Sequence, residues 1–446
     1  MDPSKFSSCI TPITSEVLDA KPSCLEFVPL KHNPNSQFFV VGTYTLLEDA
    51  EKPSTNEGEI DEQGSAPRPA KPQEKTGGLK LFKLEDGQQV LVQELSHEGA
   101  IFDLHFLPDS PIFAVVTNTG DISVFKFFQT EQNVYKFELI STHHLVDAQI
   151  TYFSWYPSRE TDPPLLAANL ETGGVLIVRF KDRSFREVEF VTDDQREFLD
   201  LHAHTESAWC CAWVPSNSSE PPSSRTRLFT GGDDCTLRLF SMSTAPTLPN
   251  SSLFSNNHED EDIPDISTAT LRPHSSGVTY ILPLPITSPD GACILLTGGY
   301  DDFIRVYATH DTRKRGRVLT ELNLGGGVWR LRLLQNYYYD SSRPNPSSPD
   351  NAPVKFRVLA SCAYAGARIL EIERDESQGW SIRVLGRVTV HQSMCYASDV
   401  QPIAMDEKAW DAPRVCVSTS FYDKLLCIWK WDPALAVVEE ESRPEG

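Results

Sequence analysis

No stretch of this chain is apolar enough, or long enough, to cross a bilayer as a helix, and no apolar leader opens it. Its ten cysteines include no CxxC pair, which removes the common zinc-ribbon and dithiol motifs and points to a reduced, cytoplasmic setting. Cys210 and Cys211 are adjacent, so on a strand they face opposite ways and fit neither a mutual disulfide nor a metal. Basic residues are scarce. With 40 Lys and Arg against 62 Asp and Glu, the net charge of −22 excludes the clustered cations that phosphate binding needs. Nucleic acid and membrane are therefore not expected partners, and a soluble monomer without cofactor or metal is. There is also no GxSxG elbow and no HExxH pair, so neither the usual serine hydrolase nor a zincin is encoded.

What the chain does contain is a repeat. An eight-residue frame returns seven times: PSCLEFVP from Pro22, IFDLHFLP from Ile101, ITYFSWYP from Ile150, AWCCAWVP from Ala208, VTYILPLP from Val278, VWRLRLLQ from Val328 and CYASDVQP from Cys395. Largely apolar residues at period two suit a strand, and the closing proline of six frames ends it, because proline cannot donate to a ladder. A second frame follows each first one, as in FTGGDDCTLRLF from Phe229 and LTGGYDDFIRVY from Leu296. It reads as strand, tight Gly/Asp turn, strand.

Strand-built self-similarity at this period marks a β-propeller, and seven copies predict an all-β, seven-bladed β-propeller of WD repeats in one domain. Residues 13–19 are expected to supply the outer strand of the last blade and close the ring. The spacing predicts blade 1 over 22–95, blade 2 over 97–140, blade 3 over 141–190, blade 4 over 200–243, blade 5 over 271–310, blade 6 over 318–373 and blade 7 over 380–432. Segments 48–77, 216–225, 244–270 and 340–351 are acidic or rich in Pro and Ser, and are expected to be surface loops.

His97, His204, His274 and His391 each stand four residues ahead of a first frame, and Asp234, Asp301 and Asp423 lie in hairpin turns. In WD-repeat propellers, which the pattern resembles, such pairs tie each blade together, so a structural role is expected for them. His202 and His204 share a strand face, but no third ligand follows at metal spacing.

Aligning the frames exposes positions that the fold does not dictate. The residue before the turn Asp reads Tyr44, Asn118, Glu171, Asp233, Tyr300, Tyr364 and Tyr422; the second residue of the inner strand reads Ser23, Phe102, Thr151, Trp209, Thr279, Trp329 and Tyr396. Both sets are expected around the mouth of the central channel. Aromatic faces attract cations, quaternary ammonium above all, by about 0.5–2 kcal/mol per contact, and carboxylates such as Glu171 and Asp233 add complementary charge. Strand propensity and interface packing are the plainer account of the same residues.

The segments HTESAW at His204, TGGDDCTLR at Thr230, TGGYDDFIRVY at Thr297, GGGVWRLRL at Gly325, SFYDKLLCIWKW at Ser420 and GTYTLLED at Gly42 resemble the WD-repeat diphthine methyl-ester hydrolases of the diphthamide pathway, formerly described as factors of its methyltransferase step. The resemblance implies a substrate, elongation factor 2 carrying methylated diphthine, a modified histidine that bears a trimethylammonio group and a methyl ester. Water attack on that ester then needs a general base, for which Glu206 and Asp233 are the candidates, and oxyanion donors, for which Tyr300 and Tyr422 are. Tyr44, Glu171, Trp209, Tyr300, Trp329, Tyr364, Tyr396 and Tyr422 form the expected substrate-binding set. Two other functions compete. Most such propellers are non-catalytic adaptors that bind a protein through the same face. A methyltransferase is the weaker rival, because TGGDD and GGGVWR lie between propeller strands rather than between a strand and a helix.

Overall fold

The computed structural model describes residues 8–33, 37–46, 75–158, 160–190, 203–214, 226–242, 267–288, 290–310, 315–338, 353–375, 377, 379–404 and 409–435. Among them there are strands and short 3-10 turns but no α-helix. The strands make seven sheets, antiparallel but for one added parallel edge strand, each a blade, and the first frame forms the innermost strand of each. This is the all-β, seven-bladed propeller that the repeat predicts.

Each blade hides its faces only against its neighbours. Leu79, Leu81, Ile101, Leu104, Phe113 and Phe125 fill the space between blades 1 and 2, and Ile294, Leu296, Val328, Phe356 and Val358 that between blades 5 and 6. Leu25, Phe39 and Phe82 of blade 1 pack on Ala397, Val417 and Ile428 of blade 7, so the disc closes on itself. Glycines near the end of the second strand make close approach possible: a Cβ on Gly231 or Gly298 would lie 2.7 Å from the side chain of Val278 or Val328, the first inner-strand residue of the next blade.

Closure uses two strands from the N-terminal segment. Thr14–Val17 runs antiparallel to the third strand of blade 7, Leu425–Trp431, with Thr14 opposite Ile428 and Val17 opposite Leu425. Ahead of it, Ser8–Cys9 adds in parallel to the outer edge of blade 6, with Ser8 opposite Gly386, and Ile10 reaches Gly386 and continues the ladder through its N–H to the Arg387 carbonyl. The N-terminal segment therefore clasps two blades. The sequence carries no period-two signal for the first of these strands.

The outer strands depart from the predicted blade limits. Ser267–Leu271 is the fourth strand of blade 4, beginning in the segment expected to be a loop and ending on the first residue expected of blade 5, and Lys75–Glu85, the third strand of blade 1, starts within another expected loop. Arg315–Asn323 completes blade 5 and Trp380–Val388 completes blade 6, so the limits at 310 and 373 fall one strand short. Outer strands face solvent over much of their length, as the largely exposed Arg315–Asn323 shows, and so lack the apolar alternation that marks inner ones. The remainder of the expected loops, 48–74, 216–225, 244–266 and 340–351, lies outside the described residues.

Candidate functional site

The aromatic mouth is built by a repeated irregularity of the inner strand. In blades 1 to 6 the ladder between first and second strands slips at the second frame residue: Pro22 to Cys24, Ile101 to Asp103, Ile150 to Tyr152, Ala208 to Cys210, Val278 to Tyr280 and Val328 to Arg330. Bulges of this kind re-aim a side chain out of the sheet. In blade 7 the same place, Tyr396, falls between an isolated bridge at Cys395 and the strand that starts at Ala397.

What occupies the slipped position alternates around the ring. In blades 1, 3 and 5 it is Ser23, Thr151 and Thr279, and each hydroxyl donates to the carbonyl of Ile101, Ala208 and Val328 in the following blade. Those carbonyls belong to the residues immediately before Phe102, Trp209 and Trp329. A small hydroxyl thus fastens the strand entry that presents each large ring. Sequence alignment placed the hydroxyls at the mouth without revealing this; the alternation of small polar with aromatic residues was the available signal. Thr279→Val keeps the shape but leaves the buried Val328 carbonyl with one partner fewer, and should cost about 1–2 kcal/mol in urea unfolding. An unchanged midpoint would show that the clamp carries no load.

The rings meet in a continuous chain. Phe102 touches Tyr44 at 5.7 Å between centroids, Tyr44 touches Phe421 at 5.4 Å, Phe421 touches Tyr396 at 5.4 Å and Tyr396 touches Trp329 at 4.8 Å. Trp329 then meets both Tyr300 and Trp209 at 5.5 Å. Tyr422 branches from Phe421 at 5.1 Å and is 60% exposed. Residues from blades 1, 2, 4, 5, 6 and 7 therefore converge on one surface. Phe421, at the centre of the chain, was not singled out from the sequence because it sits one residue before the aligned position.

Two candidates stand apart from this chain. Tyr364 is 70% exposed and makes none of these ring contacts. Glu171 is exposed and its carboxylate accepts the Gln149 N–H of its own blade at 3.2 Å. The charges acting on Asp233 are those of Glu206 and Asp234.

Adjacent carboxylates in the blade 4 turn are driven in opposite directions. Burial raises Asp233 above the usual carboxylate range; the Trp209 indole N–H faces it, short of hydrogen-bond geometry yet offsetting part of the rise, while the Glu206 charge adds to it. Burial pushes Asp234 the same way but is outweighed by Thr236 and His204, which hold it low. Asp234 accepts the Thr236 N–H at 3.0 Å and His204 Nδ1–H at 2.9 Å, while His204 Nε2 takes the Thr230 hydroxyl at 2.9 Å. Blade 5 repeats the arrangement with His274, Asp301 and Thr297. In blade 7, His391 bonds Ser420 and Ser418, each at 2.8 Å, and burial brings it down to about 4. Separating two neighbouring acids in this way is how a site obtains one group able to exchange protons and one that stays ionised.

The tyrosines remain donors. Burial raises Tyr300, with the Asp233 charge adding to it, and lifts Tyr396 to about 12. Glu206 is exposed beside the same turn. Tyr44 and Tyr422 are differently engaged: the Lys75 ammonium lies 5.9 Å from the Tyr44 and Phe102 ring centres, and that of Lys21 lies 5.6 Å from those of Phe421 and Tyr422. Cations already face these four rings, which leaves Trp209, Tyr300, Trp329 and Tyr396 as the set open to an incoming one.

Below the rings the inner strands of blades 1, 2, 6 and 7 are linked by an ionic chain that the sequence reading missed. Arg330 pairs with Asp103 at 2.5 Å, His105 lies 2.9 Å from both Asp103 and Glu26, and Arg332 joins Glu26 at 3.2 Å to Asp399 at 2.9 Å. These are the charged residues inside otherwise apolar frames, and that interruption was the signal. A cavity of about 480 Å³ opens beneath them, lined by Glu26, His105, Tyr152, Trp155, Tyr280 and Arg332. Among the described residues no cluster of His, Cys, Asp or Glu has metal-binding geometry, and no helix is long and apolar enough to cross a membrane.

Comparison with known proteins places these features. The family described as WD domain, G-beta repeat matches residues 196–241 and 266–308. A fission yeast (Schizosaccharomyces pombe) protein named diphthine methyltransferase is 27% identical over 79% of this chain and 85% of its own length. Mouse and human proteins of the same name are 21% and 22% identical over 80% of the chain, which spans 63% and 68% of them. Among solved structures, Sqt1 from Chaetomium thermophilum superposes with a TM-score of 0.53 at 14% identity, covering 96% of this chain and 86% of that one. A chain of the mitotic checkpoint complex gives 0.51 at 12% identity, covering 97% of this chain and 95% of its own. At such identities these two likenesses speak to the fold alone. With seven closed blades and the matched repeats in blades 4 and 5, the chain is an all-β, seven-bladed propeller of WD40 repeats.

Proposed function

We propose that the chain acts in diphthamide biosynthesis, and that its aromatic mouth hydrolyses the methyl ester of methylated diphthine on elongation factor 2, releasing diphthine and methanol. The observation that carries this reading is Asp233, half-buried and raised, set against Trp209 and Tyr300 at the end of a chain of aromatic rings. Trp209, Trp329 and Tyr396 offer faces to the trimethylammonio group, each contact contributing about 0.5–2 kcal/mol. Asp233 takes a proton from a water whose oxygen bonds to the ester carbon, and Tyr300 donates to the oxygen that becomes negative. Collapse breaks the bond to methoxide, which leaves with the proton held by Asp233 as methanol. The new acid ionises in solvent.

The relatives are named for a methyl transfer to diphthine; hydrolysis runs the other way, consuming methylated diphthine and leaving diphthine. Hydrolysis is favoured here because the mouth supplies a base, donors and aromatic faces, while TGGDD and GGGVWR serve blade turns and strand entries. The adaptor reading draws on the same exposed surface, and turnover separates the two. Purified chain mixed with the methylated factor should release methanol catalytically, and the factor should lose one methylene mass. Trp329→Ala should raise KM about tenfold with a smaller change in kcat, the mark of weakened capture. Stoichiometric binding without methanol overturns the proposal.

A further inference from the structure

The two lysines at the mouth are unexplained by ester hydrolysis. In a chain of net charge −22, Lys31, Lys80, Lys83, Lys181 and Lys355 ion-pair with carboxylates, while Lys126, Lys136, Lys424 and Lys430, away from the aromatic mouth, make no such pair among the described residues. Lys21 and Lys75 do not pair with any carboxylate among the described residues; Lys75 reaches only the Gln149 side-chain oxygen at 3.3 Å. Both instead flank the contacting rings of Tyr44 and Phe421, Lys75 over one and Lys21 over the other. They arrive from different elements, Lys21 opening the inner strand of blade 1 and Lys75 opening its third strand opposite Leu46. Rings hold the ammoniums in place but leave their charge unneutralised, since a cation–π contact supplies no counter-charge.

The mouth is thus divided. Its blade 4 side carries Asp233 and Glu206, and its blade 7 and 1 side carries Lys21 and Lys75, with the one carboxylate of the blade 7 turn, Asp423, engaged by the Gln392 N–H and the Ser393 hydroxyl. We infer that Lys21 and Lys75 form a docking site for a carboxylate side chain of the partner polypeptide, so that the partner presents an acidic residue to blades 7 and 1. Complementary charge at one end of the mouth therefore sets orientation as well as attraction. The exposed ring of Tyr422 beside Lys21 supplies apolar contact for the neighbouring backbone or side chain. This goes beyond ester hydrolysis, and an adaptor would need the same docking site.

The test uses no ester, so its outcome is independent of turnover. Acetyl-triglutamate amide and acetyl-triglutamine amide are titrated calorimetrically into the full chain at low ionic strength. The glutamate peptide should bind about tenfold more tightly, with the preference abolished in Lys21→Gln/Lys75→Gln and retained in Lys21→Arg/Lys75→Arg and in Lys430→Gln. The arginine pair and an unchanged thermal midpoint guard against misfolding. Added salt should erase the preference in the wild type. Equal binding of the two peptides by the wild type, or a preference that survives the glutamine pair, overturns the inference. Acetate at matched carboxylate concentration competing as well as the peptide also overturns it, because the site would then read a free anion.

Discussion

Asp233→Asn is expected to lower methanol release by about 10²–10⁴-fold at saturating substrate, with KM within a few fold of the wild type. The amide keeps the shape of the turn and its contact with Trp209 but cannot accept the water proton. Asp234, next in sequence, cannot substitute, because its carboxylate is occupied by Thr236 and His204 and stays ionised. The pH profile gives a second reading. A base works once ionised, so release should rise with pH through the Asp233 pKa, which burial places above the ordinary carboxylate range. The Glu206 charge contributes to that rise, so Glu206→Gln should move the acid limb to lower pH while leaving the plateau nearly intact. Full activity in Asp233→Asn removes the base; an immobile acid limb in Glu206→Gln removes the coupling.

The largest stability effect is expected in the channel. Asp103 is fully buried and faces both Arg330 and His105. Asp103→Ala leaves two buried cations short of a partner, and should cost about 3–5 kcal/mol in urea unfolding. Burial opposes a charge on His105, but Asp103 and then Glu26 outweigh it and raise the imidazole to about 9. A folded-state value above the unfolded 6.5 means that this contribution is complete below pH 6.5 and is lost as pH rises through about 9. The wild type should therefore lose stability over that window, and His105→Gln should show a flatter profile there. Parallel profiles for the two proteins would show that the imidazole is not charged in the fold.

The inner hairpins were legible in the sequence because they are buried on both sides. Apolar alternation returned seven times, the closing proline six times, and most copies carried a Gly- or Asp-bearing turn. The outer strands were not, since solvent accepts almost any residue there; Ser267–Leu271 and Ser8–Cys9 owe their place to the edges they join. Aligning the hairpins also brought Tyr44, Trp209, Asp233, Tyr300, Trp329, Tyr396 and Tyr422 onto one list. It put Glu171 and Tyr364 there too, which the fold leaves outside the ring chain, and passed over Phe421, which lies at its centre.

Repetition alone thus determined the blade count, the strand that each frame becomes and the end of the disc on which its turns emerge, because a periodic pattern of burial leaves few other ways to hide its apolar faces. Which rings touch, which of two neighbouring aspartates is raised, and where Lys21 and Lys75 lie were decided only by the closed ring. Those properties depend on distances between blades far apart in the chain, and no local pattern encodes such distances.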